Sequence, residues 1–221
     1  MKQLKNYMSK RHNSTRRNYI ERMLNDKTDC MKESKKYALN YWDGDRKYGY
    51  GGYKFIEGYW GPLAKKLIKD YKLSNKSSII DIGCGKGFLL YEIKKILPLI
   101  NIVGLDISSY ALKNSHPDIR GNLRKVDARK KLSFENKSFD LAISLATFHN
   151  FDLKELKISL HEMRRISKKS YLMVESYRND KELFNLQCWA LTANSFLSKN
   201  EWIWLYKEFS YDGDYEFIYF M

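Results

Sequence analysis

A glycine-rich string, DIGCGKGF at residues 81–88, carries the clearest chemical signature in the sequence. It ends a short apolar run and precedes a segment with helical periodicity. A turn of that kind brings backbone N–H groups close to a ligand at the helix N-terminus. The dinucleotide-binding pattern GxGxxG fails, because Phe88 or Leu90 stands where its third glycine belongs. The phosphate-binding loop pattern, GxxxxGK followed by Ser or Thr, fails too. The string therefore predicts a ligand site at a strand-to-helix turn, and it matches neither the dinucleotide-binding pattern nor the phosphate-binding loop pattern.

Acidic residues stand at the ends of two further predicted strands. Asp106 closes NIVGLD, residues 101–106, and Asp127 lies in LRKVDA, residues 123–128. A carboxylate offers two acceptor oxygens to a pair of neighbouring hydrogen-bond donors. Because ligands bind at the carboxyl ends of parallel strands, we expect both carboxylates to lie near the glycine-rich string.

Beyond residue 62 the sequence alternates between apolar runs and amphipathic segments. This alternation predicts an α/β fold with a doubly wound, mostly parallel sheet. The predicted strands cover residues 77–83, 101–106, 123–128, 138–146, 170–176 and 215–220. The predicted helices cover residues 62–72, 86–97, a short segment from residue 108, 153–167 and 199–209, and residues 180–197 stay unassigned.

Residues 42–62, which we call the aromatic lid, combine six glycines with seven aromatic side chains. Glycine permits unusual backbone conformations and aromatic rings supply rigid contact area, so we interpret this segment as a loop that covers a ligand. Residues 1–20 are predicted to be a loose arm, and residues 28–41 a helix. The chain thus divides into an arm with a helical and aromatic lid, residues 1–61, and a ligand-binding domain, residues 62–221.

Charge is unevenly distributed along this chain of 221 residues, whose net charge is +14. Residues 1–76 hold 19 Lys and Arg against 8 Asp and Glu, a net charge of +11, whereas residues 77–221 hold 21 against 18, a net charge of +3. A basic region of this kind attracts nucleic acid, phosphorylated substrates or anionic surfaces, or it consists of solvated lysine side chains.

Cysteine and apolar patterns argue against several classes of protein. Cys30, Cys84 and Cys188 lie far apart, which argues against a disulfide framework and against a zinc cluster, so we expect independence from metal ions. No apolar run approaches the ~18 residues of a membrane span. The charged N-terminus is not a secretory signal. We therefore expect a cytoplasmic protein without membrane insertion.

The string DxGxGxG at residues 81–87 resembles the first motif of class I S-adenosylmethionine-dependent methyltransferases. The resemblance continues in order through Asp106, Asp127 and the string SLATFHN at residues 144–150. It implies a Rossmann-like methyltransferase fold over residues 62–220 and S-adenosylmethionine as cofactor. In that family, the acid after strand two accepts hydrogen bonds from both ribose hydroxyls, and the acid after strand three lies against the adenine amino group. The cofactor-binding residues implied are Asp81, Gly83, Gly85, Gly87, Asp106, Ile107, Asp127 and Ala128.

The aromatic lid carries a second resemblance. Its strings YWDGDR, residues 41–46, and YGYGGY, residues 48–53, resemble a bacterial subgroup associated with small-molecule and surface-polysaccharide gene clusters, including those for capsule decoration. This resemblance implies a compact enzyme without a separate nucleic-acid domain. Aromatic faces attract a sulfonium cation by ~0.5–2 kcal/mol, so the composition of the lid suits a segment that covers a methyl donor. Within the lid, Tyr48 and Tyr50 are candidates for the acceptor side of the site.

Candidate catalytic residues follow predicted strands four and five. His149 is the best candidate base, and Glu175 is a candidate to orient the acceptor or to act as base. Arg46 and Arg178 are candidates to bind an anionic acceptor through forked contacts. The alternatives are a packed loop histidine and ordinary surface salt bridges.

Three functions stay open at this point. The leading hypothesis is O-methylation of a small anionic acceptor, phosphorylated or nucleotide-activated, in the synthesis of surface polysaccharide or capsule precursors. The second is an RNA methyltransferase whose basic arm follows phosphates. The third is a module that binds the cofactor without catalysing transfer. The fraction of a cell extract that receives a labelled methyl group distinguishes the three.

Overall fold

The computed structural model describes residues 3–221, which form one six-stranded sheet with helices on both faces. The strand order is β3-β2-β1-β4-β5-β6, and every neighbouring pair is parallel. The strands are β1 (Ser78–Ile82), β2 (Asn101–Asp106), β3 (Leu123–Lys125), β4 (Phe139–Leu145), β5 (Ser167–Glu175) and β6 (Asp214–Ile218). The predicted α/β fold, doubly wound and Rossmann-like, is confirmed.

Ten α-helices connect and flank these strands in the described part of the chain. They are α1 (Ser9–Asn13), α2 (Tyr19–Leu24), α3 (Lys27–Ser34), α4 (Leu39–Trp42), α5 (Gly61–Tyr71), α6 (Phe88–Ile96), α7 (Ser109–Lys113), α8 (Leu153–Ile166), α9 (Asp180–Trp189) and α10 (Lys199–Glu208). Side chains mark several helix starts. Asp152 and Glu155 form a reciprocal capping box on α8, Ser198 and Glu201 form one on α10, and Ser108 caps α7.

Alternation along β1 creates two apolar layers, one on each face of the sheet. Ile80 packs in a cluster with residues of α8 and α10, whereas Ile79 packs in a cluster with residues of α5 and α6. Successive strand residues point to opposite faces, so each strand contributes to both clusters. Strand β1 pairs with β2 on one side and with β4 on the other, so the chain changes direction across the sheet beside β1. A crevice opens at such a switch point, beyond the carboxyl ends of the strands.

Within residues 3–20 the amino-terminal arm is bound to β6, and the prediction of a loose arm is wrong there. The Glu216 carboxylate on β6 accepts hydrogen bonds from the backbone N–H groups of Tyr7, Met8 and Ser9, at 2.8, 2.8 and 2.9 Å. The Tyr171 hydroxyl donates to the same carboxylate at 2.6 Å, and Glu216 is fully buried. A buried acid far away in the sequence thus binds the arm, and no local pattern predicts that contact.

Other departures from the predicted elements are small. The predicted helix over residues 28–41 is two helices, α3 and α4, because Tyr37 adopts a left-handed conformation with φ 49°. Strand β3 is shorter than predicted, and β5 begins earlier. The unassigned residues 180–197 contain α9, which Asn179 caps by accepting from the Glu182 N–H.

Replacing Glu216 should release the arm. We expect Glu216→Ala to lower the free energy of unfolding by about 2–4 kcal/mol, because buried donors lose a charged acceptor. Chemical denaturation measures this loss, and limited proteolysis within residues 3–20 reports the freed arm. The exposed Glu135→Ala is the matched control. An arm equally resistant in both variants would contradict the proposed anchoring.

Candidate active site

The glycine-rich turn between β1 and α6 lies at the switch point of the sheet. Gly83, Gly85 and Gly87 all have positive φ, at 85°, 56° and 72°. Residues other than glycine are strained there. A Cβ atom on Gly85 would lie 2.8 Å from Cη2 of Trp42, and one on Gly83 would overlap Thr147. The sequence therefore needs glycine here for both the turn and the close approach of its neighbours.

Asp106, at the end of β2, faces this turn. Its Oδ2 accepts from the Gly85 N–H at 2.7 Å, and its Oδ1 accepts from the Ser108 N–H at 2.8 Å. Burial raises the pKa of this carboxyl, and backbone donors offset part of that effect. Each carboxylate oxygen has two lone pairs, so each can accept a further hydrogen bond. Asp106 is thus held by backbone donors with capacity for two more.

A cavity of about 270 Å³ opens beside Asp106. Ile107, Asp127 and Ala128 contribute to its wall, together with Gly83. The Asp127 carboxylate is in an ion pair with Arg129, whose Nε lies 2.8 Å from Oδ1, and this pair lowers the pKa of Asp127. The structure thus brings together, around one cavity, the residues that the sequence places after strands two and three.

A larger cavity of about 420 Å³ adjoins the first. Gly83, Trp42 and Tyr50 contribute to the walls of both cavities. The larger cavity also reaches Asp81, His149 and Glu175. Its size is in the range of small-molecule sites, which is roughly 300–1,000 Å³. The two cavities form one cleft that runs from Asp127 to Glu175.

Asp81 is a buried carboxyl group in this cleft, and one of its oxygens lacks a hydrogen-bond partner. Its Oδ1 has no hydrogen-bond partner among residues 3–221. Burial, and then the charge of Asp106, raise the pKa of Asp81 to about 8. A buried carboxylate is stabilised by a nearby cation. The cleft therefore suits a ligand that places positive charge near Asp81.

The aromatic lid lies against the glycine-rich turn. The rings of Trp42 and Tyr50 stack with centroids 5.3 Å apart and an interplanar angle of 9°, and Tyr53 stacks on Phe88 at 5.2 Å. Trp42 is buried, and its Nε1–H donates to the Ser108 hydroxyl at 2.9 Å. Stacked rings thus cover the region where the two cavities meet.

An ion pair that sequence reasoning missed fixes the lid in place. Lys86, inside the glycine-rich string, places Nζ 2.8 and 2.7 Å from the two carboxylate oxygens of Asp43. Its third hydrogen bond goes to the Tyr53 carbonyl at 2.7 Å, and the Tyr110 hydroxyl donates to Asp43 at 2.8 Å. The string WDGDR contains Asp43, but no spacing relates it to a lysine 43 residues later.

His149 and Glu175 meet at the far wall of the larger cavity. The Glu175 backbone N–H donates to His149 Nδ1 at 3.2 Å, so the neutral ring carries its proton on Nε2. Nε2 lies 3.4 Å from Glu175 Oε2. Burial lowers the pKa of His149, which favours the neutral ring. In this arrangement the Glu175 carboxylate lies beside a neutral imidazole, and both groups line the larger cavity.

The candidate acceptor residues are not all at the cleft. Arg46 and Tyr50 contribute to the wall of the larger cavity. Arg178 is exposed and forms an ion pair with Glu182 on α9, and Tyr48 stands apart from the lining residues of both cavities. Arg17 and Arg22, which the sequence did not single out, line the larger cavity instead.

Two further observations concern residues 3–221. No group of three or more His, Cys, Asp or Glu side chains lies close enough to hold a metal ion. No helix in this range has the length and apolar character needed to cross a membrane.

Removing the Asp106 charge should weaken cofactor binding. We expect Asp106→Asn to reduce the affinity for S-adenosylhomocysteine at least tenfold, because a charged acceptor contributes about 1.5–3 kcal/mol per hydrogen bond. Isothermal titration calorimetry measures the affinity, with the exposed Asp180→Asn as control. Equal affinities for Asp106→Asn and wild type would contradict the role of Asp106.

The raised pKa of Asp81 gives cofactor affinity a pH dependence. Below its pKa of about 8 the ligand-free protein holds this carboxyl largely protonated. A cationic ligand favours the ionised form, so binding releases a proton. We therefore expect affinity for S-adenosylmethionine to rise between about pH 5.5 and pH 7, by up to about tenfold per unit. The ligand amino group stays protonated over that range. Asp81→Asn should flatten the profile, and an unchanged slope in this variant would refute the assignment.

Residues 80–174 match the family model described as a methyltransferase domain. The uncharacterized protein MG259 homolog of Mycoplasma pneumoniae is 30% identical over 119 residues, which are 51% of this chain and 26% of that protein. This chain therefore spans about a quarter of that relative.

Solved structures share the fold. The YcgJ protein of Bacillus subtilis aligns with a TM-score of 0.53 and 18% identity over 66% of each chain. Geranyl diphosphate C-methyltransferase of Streptomyces coelicolor, solved with Mg²⁺, geranyl diphosphate and S-adenosylhomocysteine, aligns with a TM-score of 0.54 and 12% identity over 66% of this chain and 59% of that one. Residues 80–174 therefore match a methyltransferase domain, and the sheet that contains them has the fold of these solved structures.

Proposed function

We propose that the protein transfers the methyl group of S-adenosylmethionine to an oxygen atom of a small anionic acceptor. The observation that carries this proposal is the larger cavity, which adjoins the cavity of Asp106 and is lined by both Arg46 and Glu175. A cation and a carboxylate in one small cavity suit an acceptor that has both an anionic group and a hydroxyl group. The neighbouring lid and arm leave room for a small molecule.

Methyl transfer is an in-line displacement, so positioning is the main task of the protein. S-adenosylmethionine supplies a methyl group on a positively charged sulfur. The new bond joins the acceptor oxygen to the methyl carbon, the carbon–sulfur bond breaks, and its electron pair stays on sulfur. For a hydroxyl acceptor, Glu175 takes the proton that the oxygen loses, while His149 holds the carboxylate in place through Nε2–H. The aromatic lid excludes water from the reacting atoms.

The identity of the acceptor and the cellular compartment are proposed from the resemblance of the lid strings to the surface-polysaccharide subgroup, not from the geometry of the site. We propose that the acceptor is a phosphorylated or nucleotide-activated precursor of a surface polysaccharide or capsule, and that transfer occurs in the cytoplasm. The uneven positive charge of residues 1–76 supports an anionic acceptor of this kind.

The first experiment is a transfer assay without an assumed acceptor. Purified protein and methyl-labelled S-adenosylmethionine are incubated with a bacterial extract, which is then separated into small-molecule, protein and nucleic-acid fractions. We expect label in small molecules that bind an anion-exchange resin, and none with the Asp106→Asn variant. Label in RNA would replace this proposal with RNA methylation. Binding of the cofactor without label in any fraction would favour a module that only binds.

The role of Glu175 has its own test once an acceptor is known. We expect Glu175→Gln to lower kcat by about 10²–10⁴ if a hydroxyl group is methylated, because general base catalysis contributes that much. Affinity for S-adenosylhomocysteine should stay within about twofold of wild type. The exposed Glu208→Gln is the control. A wild-type rate for Glu175→Gln would mean that the acceptor oxygen is already ionised and needs no base.

A further inference from the structure

Three arginine side chains from separate segments meet at one wall of the larger cavity. Arg17 follows α1, Arg22 lies in α2, and Arg46 belongs to the aromatic lid. Their guanidinium carbons lie 5.4, 4.9 and 5.1 Å from the centroid of the Trp189 ring, on α9. We call this group the arginine cradle. All four residues line the larger cavity.

The charges of the cradle are not neutralised by direct ion pairs within residues 3–221. None of its three arginines forms an ion pair with Asp or Glu in the part of the chain that the structure describes. Their guanidinium groups donate to neutral backbone carbonyls, those of His12, Thr15, Arg46, Gly49 and Trp189. Nε of Arg17 is buried and has no hydrogen-bond partner among residues 3–221. The wall therefore has positive charge and an unused donor.

Grouping these charges has an energetic cost. Burial and the neighbouring Arg46 lower the pKa of Arg22 to about 10, and burial lowers that of Arg17 and Arg46. Clustered guanidinium groups repel one another, and an anion shared between them offsets that repulsion. Glu175, a carboxylate on the same cavity, lies 3.4 Å from His149 Nε2 and forms no ion pair with the cradle. An anionic ligand in the cavity would offset the charge of the cradle.

We propose that Arg17, Arg22 and Arg46 bind a phosphoryl group of the acceptor. This inference rests on the proposed function and identifies both the chemical class of the anion and the residues that hold it. Three guanidinium groups offer forked donors to three terminal oxygens and balance a dianion, whereas a carboxylate has two oxygens and one charge. This site does not include Arg178, because that side chain forms an ion pair with Glu182.

The cradle also gives the arm a function. Arg17 follows the residues that Glu216 anchors, and Arg22 lies in the next helix, so the placement of the arm helps to form this wall of the cavity. The arm is then part of the acceptor site, and the phosphoryl group is held by side chains from the arm, α2 and the lid.

Titration of inorganic phosphate into the protein saturated with S-adenosylhomocysteine tests the cradle by calorimetry. We expect wild type to bind phosphate with a millimolar or lower Kd. Arg17→Gln, Arg22→Gln and Arg46→Gln should each weaken that binding at least fivefold. Arg16→Gln, an exposed arginine of the same arm, should change it less than twofold. Arg22→Lys, which keeps the charge but loses the fork, should fall between wild type and Arg22→Gln.

Several outcomes would overturn the cradle: no phosphate binding by wild type, no loss in the three Gln variants, or an equal loss in Arg16→Gln. Arg46→Gln keeps the test valid if substitution of Arg17 loosens the arm, because Arg46 lies on the lid. Cofactor affinity separates this inference from the proposed function. Phosphate binding without affinity for S-adenosylmethionine would refute the function and support the cradle. Methyl transfer by a protein that does not bind phosphate would refute the cradle alone.

Discussion

The ion pair between Lys86 and Asp43 is the contact on which the geometry of the site depends. Lys86 belongs to the turn that follows β1, and Asp43 lies near the start of the aromatic lid, so this pair determines where the lid lies over the turn. The side chain of Lys86 is 5% exposed and all three of its donors are used. A buried ion pair contributes little net stability, whereas removal of one partner leaves a buried charge and costs about 3–5 kcal/mol. The pair therefore fixes an arrangement more than it strengthens the fold.

The position of the lid affects the walls of both cavities. Trp42 is the neighbour of Asp43 in the chain, so the ion pair also fixes its position. Trp42 packs against Gly85 and donates a hydrogen bond to the Ser108 hydroxyl. The N–H of Ser108 in turn donates to Asp106. The same lid segment continues to Arg46 and Tyr50 at the larger cavity. The orientation of the Asp106 carboxylate and that of the Arg46 guanidinium are thus coupled through a single loop. Since the glycine turn permits this approach only without a Cβ atom, the turn and the lid constrain each other.

Sequence reasoning recovered the parts of this structure that local patterns determine. Alternating apolar runs predicted the sheet because each parallel strand is buried on both faces, and the DxGxGxG string located the turn at Gly83 and Gly85. The string of residues 42–62 predicted a loop over the site, and its rings lie against the glycine-rich turn. Contacts between distant segments could not be predicted in this way. The anchoring of Tyr7 by Glu216, the Lys86 pair and the tautomer of His149 depend on distances that no spacing along the chain encodes.

The distribution of charge across the cleft explains how one site can favour two ligands and release one of them. Asp81 lines the larger cavity and Asp106 the adjoining one, and the arginine cradle contributes cations to the wall of the larger cavity. Under the proposed function, transfer would remove the positive charge from sulfur, so the attraction between the cofactor and Asp81 would fall when the reaction is complete. The anionic group proposed for the acceptor would keep its charge throughout. Differential attraction of this kind favours departure of the spent cofactor without any change in the protein, because the chemistry itself alters the charge that the buried carboxyl faces.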